Sequence, residues 1–415
     1  MMLSRQKVVI NILSVLMILS CYQVYLFRVA GSYIPLSAIV MAMCLPFIKV
    51  TNLRDPLFSF FLLSLFLNLI SFFWSPAIGL WQYHIVFGYI FIVTYAVFKE
   101  IKNSEGALKL IKIFLLSSSL NAFMIILFRF RPDIESAFII NFLELFKNPD
   151  RLVFDNAFNV TSIDKAGGVF DNANTAASLH LVCVGLIIMI KRVVSRFMFL
   201  CLLIMNVFAV FFSGSKSAVL IMLGSFIFTF ALSFLKPGKK NLGLRWLIFL
   251  LFTFLFMVLT YYIDSIITSS AFGKDVAKTT DDRLNLIAFA SDMFWSSPLL
   301  GLGYGGWGNK IGVLASQYGI SPSWPPHNSI IDAWSTSGIF NSIICIFLIF
   351  IIINRGVRYI IKSNTLGSSG QLVAVLGAVI MPLGDPQPFM GAPQLAAPLG
   401  IACCYVYREL KKFSN

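Results

Sequence analysis

Long apolar runs, most of them close to a membrane thickness and separated by short charged loops, set the rhythm of the chain. A helix of about 20 apolar residues crosses the hydrocarbon core of a bilayer. Scanning the runs at that length predicts twelve transmembrane helices, near 8–27, 32–48, 56–74, 79–98, 108–128, 172–190, 197–213, 217–235, 244–263, 330–353, 369–385 and 392–408. The second, eleventh and twelfth are short or interrupted by Pro and Gly. The first follows Arg5 and Lys7 in the manner of a signal peptide, but ILSC, ending at Cys21, is a poor cleavage site. A retained first helix is expected. The fold class is therefore an all-α polytopic membrane protein, with residues 1–415 forming a single integral membrane domain.

Composition narrows the alternatives. The chain is 58% hydrophobic and 12% charged, against about 25% charged in soluble domains. That excludes a water-soluble globule, a disordered chain and a disulfide scaffold. The seven cysteines all fall in apolar runs without metal-ligand spacing and read as small buried hydrophobes. A net charge of +14 suits either nucleic acid or membrane topology, and in a polytopic chain topology comes first. With both termini assigned to the cytoplasm, 21 of the 32 Lys and Arg fall inside and 14 of the 18 acids fall outside. The positive-inside rule is obeyed along the whole chain, and no nucleic-acid partner is expected.

Two long loops, about 129–171 and 264–328, then lie on the outer face. The first carries IESAFIINFLELF, too short to span and read as an interfacial helix. The second begins with an amphipathic helix, TTDDRLNLIAFASDMFWSSP, with Thr280 as its expected N-cap. Leu284, Ile287, Ala288, Ser291 and Trp295 share one face at helical spacing. Arg283, in its first turn, reads either as a local ion-pair partner of Asp281 or Asp282, or as an anion site. Its planar fork suits diphosphate. GLGYGGWG, Gly301 to Gly308, reads as a tight turn where the backbone approaches a ligand or another element. It is not a dinucleotide fingerprint, because a helix precedes it.

SWPPHNSIIDAWSTSGIF places His327 at the outer mouth of the tenth span, followed by Asn328. An imidazole there has an ordinary pKa of about 6.5 and can accept a proton from a hydroxyl near neutral pH. His84 and His180, deeper in spans, read as core residues. Lys216, in FFSGSKSAVL, has no acid within several residues of it, and Asn172 and Asn174 begin the sixth span.

VFDNANTAA, SGSKSA, DDRLNLIAFASDMFWSSPLLGLGYGGWG and PPHNSIIDAWSTSGIF, in this order, resemble the O-antigen ligase/polymerase superfamily of bacterial polysaccharide assembly. The likeness covers roughly residues 165–345. Lys216 stands where that family usually has Arg, keeping the charge and losing bidentate geometry. The resemblance implies a glycosyltransferase without metal or cofactor, in the bacterial inner membrane. Its active site would be periplasmic and its donor an undecaprenyl-diphosphate-linked oligosaccharide or polysaccharide. Arg283 and Lys216 would bind the diphosphate and His327 would activate the acceptor hydroxyl. Asn172, Asn174, Gly301, Gly303 and Asn328 are candidate substrate-shaping residues. The implied partners are the lipid bilayer, a glycan acceptor and a chain-length regulator.

The acceptor decides the name of the activity. HNSIIDAW leans towards a polymerase, which transfers glycan to another lipid-linked repeat unit. The alternative is a ligase that transfers it to lipid A-core. A flippase for the same lipid-linked sugar is the rival from another class, and the run MPLGDPQPFMGAPQLAAPLG around Asp385 keeps it open.

Overall fold

The computed structural model describes residues 2–412 apart from 23, 30–31, 49–52, 78–80, 102–103, 136, 139–164, 171, 235–270, 364–365 and 384–391. The expected interfacial helix of the first loop falls largely outside the described residues. So do the ninth span, Asp171 and the segment around Asp385.

The described chain is overwhelmingly helical. In order it comprises α1 (Met2–Cys21), α2 (Leu36–Ala42), α3 (Pro56–Ile70), α4 (Trp81–Glu100), α5 (Ser104–Phe130), α6 (Ala173–Ile190) and α7 (Arg196–Phe212). Then follow α8 (Lys216–Phe234), α9 (Ala271–Ser296), α10 (Gly306–Tyr318), α11 (Ser329–Ser337), α12 (Ile339–Lys362), α13 (Leu366–Val379) and α14 (Pro393–Lys412). Four helical segments among the described residues are long and apolar enough to cross a membrane: Pro56–Trp74, Glu105–Phe130, Ala173–Ile190 and Ile339–Lys362. Helix starts follow local chemistry. Asp55 accepts from Leu57 N at 3.1 Å ahead of Pro56, and Ser195 accepts from Met198 N at 3.2 Å. Both satisfy amide donors that a first helical turn leaves open.

The bundle is built around α6, whose faces are buried almost all round. It packs most closely on α13, where a Cβ at Gly185 would lie 2.4 Å from Gly370 O. Small residues at such a crossing let helix backbones approach. Polar groups inside the bundle are satisfied in sets. His180 Nδ1 donates to Asn206 Oδ1 at 2.8 Å, and its Nε2 accepts from Asn121 at 3.2 Å. His180 is thus the core histidine expected of it.

Three expectations are corrected. Residues expected at the join of the first two spans form an antiparallel hairpin, Tyr25–Val29 with Ser32–Pro35. Tyr25, Phe27, Val29 and Ile34 are aromatic or β-branched, and these types favour strands. The tenth span is two helices, because Gly338 breaks it with φ 91°. Finally, α9 runs through Thr280 rather than starting there. It buries Leu286, Phe289 and Ala290 rather than the predicted face, whose Leu284, Ile287 and Trp295 stay exposed. The predicted face was the wrong one because α10 supplies aromatic partners for the other: Phe289 stands edge-on to Trp307, with ring centres 4.9 Å apart.

Candidate functional site

The glycine-rich turn is a backbone lock. Leu302 N donates to Ser335 O at 2.7 Å, and Ile339 N donates to Pro298 O at 3.2 Å. On its other side Tyr304 N donates to the Ser75 hydroxyl at 2.8 Å, and Ala77 N donates to Tyr304 O at 2.9 Å. Gly301 and Gly338 face each other across this lock. A Cβ at Gly301 would sit 2.0 Å from Trp334 O, and one at Gly338 would sit 1.9 Å from Leu299 O. Both also have positive φ, so no side chain fits either position. Gly301 and Gly303, expected to shape substrate, approach other backbone here: a Cβ at Gly303 would meet Ser75 Cα at 2.8 Å.

The lock holds the short helix α11, whose start carries His327. Asn328 caps that helix, accepting from Ile330 N at 2.9 Å and Ile331 N at 3.2 Å, while its amide donates to Leu383 O at 3.1 Å. The Ser329 hydroxyl donates to Pro382 O at 2.8 Å. These bonds fix the residue just before them. His327 has φ 51°, a left-handed conformation that is uncommon outside Gly and several-fold enriched in His. Its ring stands edge-on to Trp324 at 6.3 Å, and its Nδ1 is buried without a hydrogen-bond partner among the described residues. Burial, and then the positive charges of Arg283 and Lys165, lower its pKa from 6.5 to about 4. The imidazole is therefore neutral at pH 7, with a nitrogen lone pair to offer.

Arg283 lies near enough to His327 for its charge to act on the imidazole. It is exposed and makes no ion pair among the described residues, so pairing with Asp281 or Asp282 is not what holds it. Lys165 escaped the sequence reading. It lies in a loop of mixed charge directly after Asp164, so its spacing gave no signal. Ala166 N, next to it, donates to Ser213 O at 3.2 Å in the turn that leads into Lys216. Lys216 opens α8 as an exposed side chain. Asn172 caps α6, accepting from Asn174 N at 2.8 Å. Asn174 lines a small pocket with Thr175, Ser178, Met381, Pro382 and Leu395, adjoining the start of α11 through Pro382.

His84 is the second surprise. It faces the Asp332 carboxylate through Nε2, and Tyr304 packs beside it with ring centres 5.9 Å apart. The sequence reading left His84 as core and gave Asp332 no role. A histidine at the edge of an apolar run needs a polar partner, and Asp332, one turn beyond Asn328, was the one within the motif.

Residues 197–346 match the family model Wzy_C, described as O-antigen ligase. That stretch is similar to the O-antigen ligase family. The match bears out the resemblance to the O-antigen ligase/polymerase superfamily, and the family implies glycosyl transfer as the type of chemistry. Arg283, His327, Lys216 and the glycine-rich turn all fall within the matched residues, and Lys165 and His84 fall outside them. No curated protein matches the chain.

Proposed function

We propose that the protein is a membrane glycosyltransferase that polymerises undecaprenyl-diphosphate-linked repeat units into O-antigen or exopolysaccharide at the periplasmic face. The observation that carries the reading is His327, fixed in a left-handed conformation just before α11, where burial and the charges of Arg283 and Lys165 favour the neutral imidazole, in a chain whose residues 197–346 match the O-antigen ligase model. Arg283 and Lys165, with Lys216 behind them, hold the donor diphosphate. His327 takes the proton of the acceptor hydroxyl as its oxygen attacks the anomeric carbon. The bond from that carbon to the diphosphate oxygen breaks, and the electron pair leaves with the diphosphate. Fixed cations compensate the charge that develops there, the task a metal ion performs in other sites. A single displacement inverts the anomeric centre.

The description of the matched family favours a second reading, a ligase that passes the glycan to lipid A-core. Both readings use the same donor site and differ in the acceptor. The glycan phenotype of a deletion strain separates them. Loss of a polymerase leaves single repeat units on the acceptor, whereas loss of a ligase leaves long chains on the carrier lipid. An unchanged glycan profile would contradict both.

A further inference from the structure

We propose that His84 and Asp332 form a positioning pair that sets the orientation of α11 and, through it, the placement of His327. This rests on the glycosyl-transfer reading of the site.

The need for such a pair follows from the break at Gly338. An unbroken tenth span would take its orientation from the length of α12. As built, α11 has nine residues and ends at the Gly338 break. Its setting about its own axis must come from side attachments. At its start these are the Asn328 and Ser329 bonds to Leu383 O and Pro382 O. At its end they are the bonds that Ser335 O accepts from Leu302 N and that Ser337 donates to Asn68 Oδ1, the latter at 3.1 Å. Between the two, the His84–Asp332 contact ties the helix to α4.

That contact is of a different kind from the others. It joins two ionisable side chains in a site where His84 is 8% exposed. Asp332 is half-buried, and a partly desolvated carboxylate holds a charged or hydrogen-bonding partner more strongly than a neutral group would. His84 is itself held from the other side. The Tyr304 ring lies against it, and the backbone of Tyr304 is bonded to Ser75 and Ala77. Asp332 therefore grips a histidine that cannot follow it. The Nε2 of His84 is taken up by Asp332, and its Nδ1 is buried without a partner among the described residues. The pair therefore has no open face towards an acceptor, which suits positioning rather than proton transfer to substrate.

His327 lies one residue before the α11 cap, so a roll of the helix carries the imbalance straight to its ring. Misplacing a reacting group by about 1 Å can cost about 10²-fold in rate. Arg283 on α9 and Lys165 before α6 do not touch the pair, so donor binding is left intact.

The experiment uses the full chain in nanodiscs with a lipid-linked repeat unit as both donor and acceptor, and undecaprenyl diphosphate as the binding probe. Asp332→Ala is expected to lower kcat by about 10–100-fold, with KM for donor and probe stoichiometry unchanged. Asp332→Asn, whose carbonyl oxygen still accepts from His84, is expected to restore kcat to within about threefold, as is His84→Gln. Wild-type kcat in Asp332→Ala would overturn the proposal. So would loss of probe binding, which would make the pair a folding element. Equal damage in Asp332→Asn and Asp332→Ala would overturn it as well, by giving the carboxylate a role in charge or proton transfer. Arg283→Ala in parallel separates the two claims: if that variant stays fully active, the donor site itself is wrong, whatever the pair does.

Discussion

Two clusters of charge, at opposite ends of the bundle, are built on opposite plans. At the end of α3 where the chain enters from Asp55, that carboxylate accepts from Arg355 at 2.7 Å and from Tyr95 at 2.5 Å, with Lys99 at 3.5 Å. Its side chain is 1% exposed, and every strong group there has a partner. At the His327 end, Arg283 and Lys165 are exposed and neither has an ion-pair partner among the described residues. The closed cluster spends its charges on one another and pins α3, α4 and α12 together. The open one presents positive charge beside a neutral base and is left to be completed by an anion. On the proposed function, closure marks a structural cluster and openness a binding one.

The sharpest way to break this contrast is to open the closed cluster. Asp55→Ala takes away the carboxylate that Arg355, Tyr95 and Lys99 share, and removing one partner of a buried pair costs about 3–5 kcal/mol. Folded yield and thermal stability in detergent are expected to fall steeply, while the protein that survives keeps its donor affinity. A drop in turnover at unchanged stability would place Asp55 in the reaction and erase the distinction.

The complementary change empties the open cluster. Arg283→Ala is expected to lower turnover by about 10²–10³-fold, the cost of losing one preorganised group that compensates developing charge. Its melting temperature should match wild type, because Arg283 is exposed and makes no ion pair among the described residues. A strongly destabilised Arg283→Ala protein would show that this cluster is structural too.

A third change is read in pH. His327 is held neutral down to about pH 4 by burial and by the charges of Arg283 and Lys165. The acid limb of kcat/KM should therefore lie near pH 4, not near 6.5. The folded state binds fewer protons than the unfolded chain between about pH 6.5 and 4, so the stability tied to this residue is complete above 6.5 and declines towards 4. Lys165→Ala removes one of the opposing charges and should move the limb upwards. A limb near 6.5 in wild type, unmoved in Lys165→Ala, would separate Lys165 from the imidazole. The smallest effect is expected for Lys216→Arg, which keeps the charge and restores the residue usual in the superfamily, so activity should change by less than about threefold. Severe loss there would show that the point charge of Lys, not charge alone, matters at that turn.

The same contrast explains what could be read from the sequence. His327 and Lys216 stood out as polar groups in stretches poor in acids, and Arg283 stood out by its place in a family-like motif despite Asp281 and Asp282 beside it. The breaks that position them were less visible. Gly338 follows Ser335, Thr336 and Ser337 inside a stretch that is apolar only on average over a span length, and the approach of Leu299 O is the tertiary contact that fixes the break there. The buried face of α9 depends on α10 supplying Trp307, a tertiary fact that helical spacing cannot carry. Lys165 and His84 were missed for a related reason. Each gains its meaning from residues far along the chain, His84 from Asp332 at a separation of 248 residues.

The central claim is that His327 acts as the base, and a single substitution tests it. Glycan transfer from an undecaprenyl-diphosphate donor is measured for wild type and His327→Gln in nanodiscs, across pH, with donor binding measured on the same samples. Gln keeps hydrogen-bonding capacity but cannot take the proton. The expected result is a loss of about 10²–10⁴-fold in kcat, disappearance of the acid limb, and donor binding within twofold or so of wild type. A His327→Gln protein that turns over near the wild-type rate with the same pH profile would contradict the account.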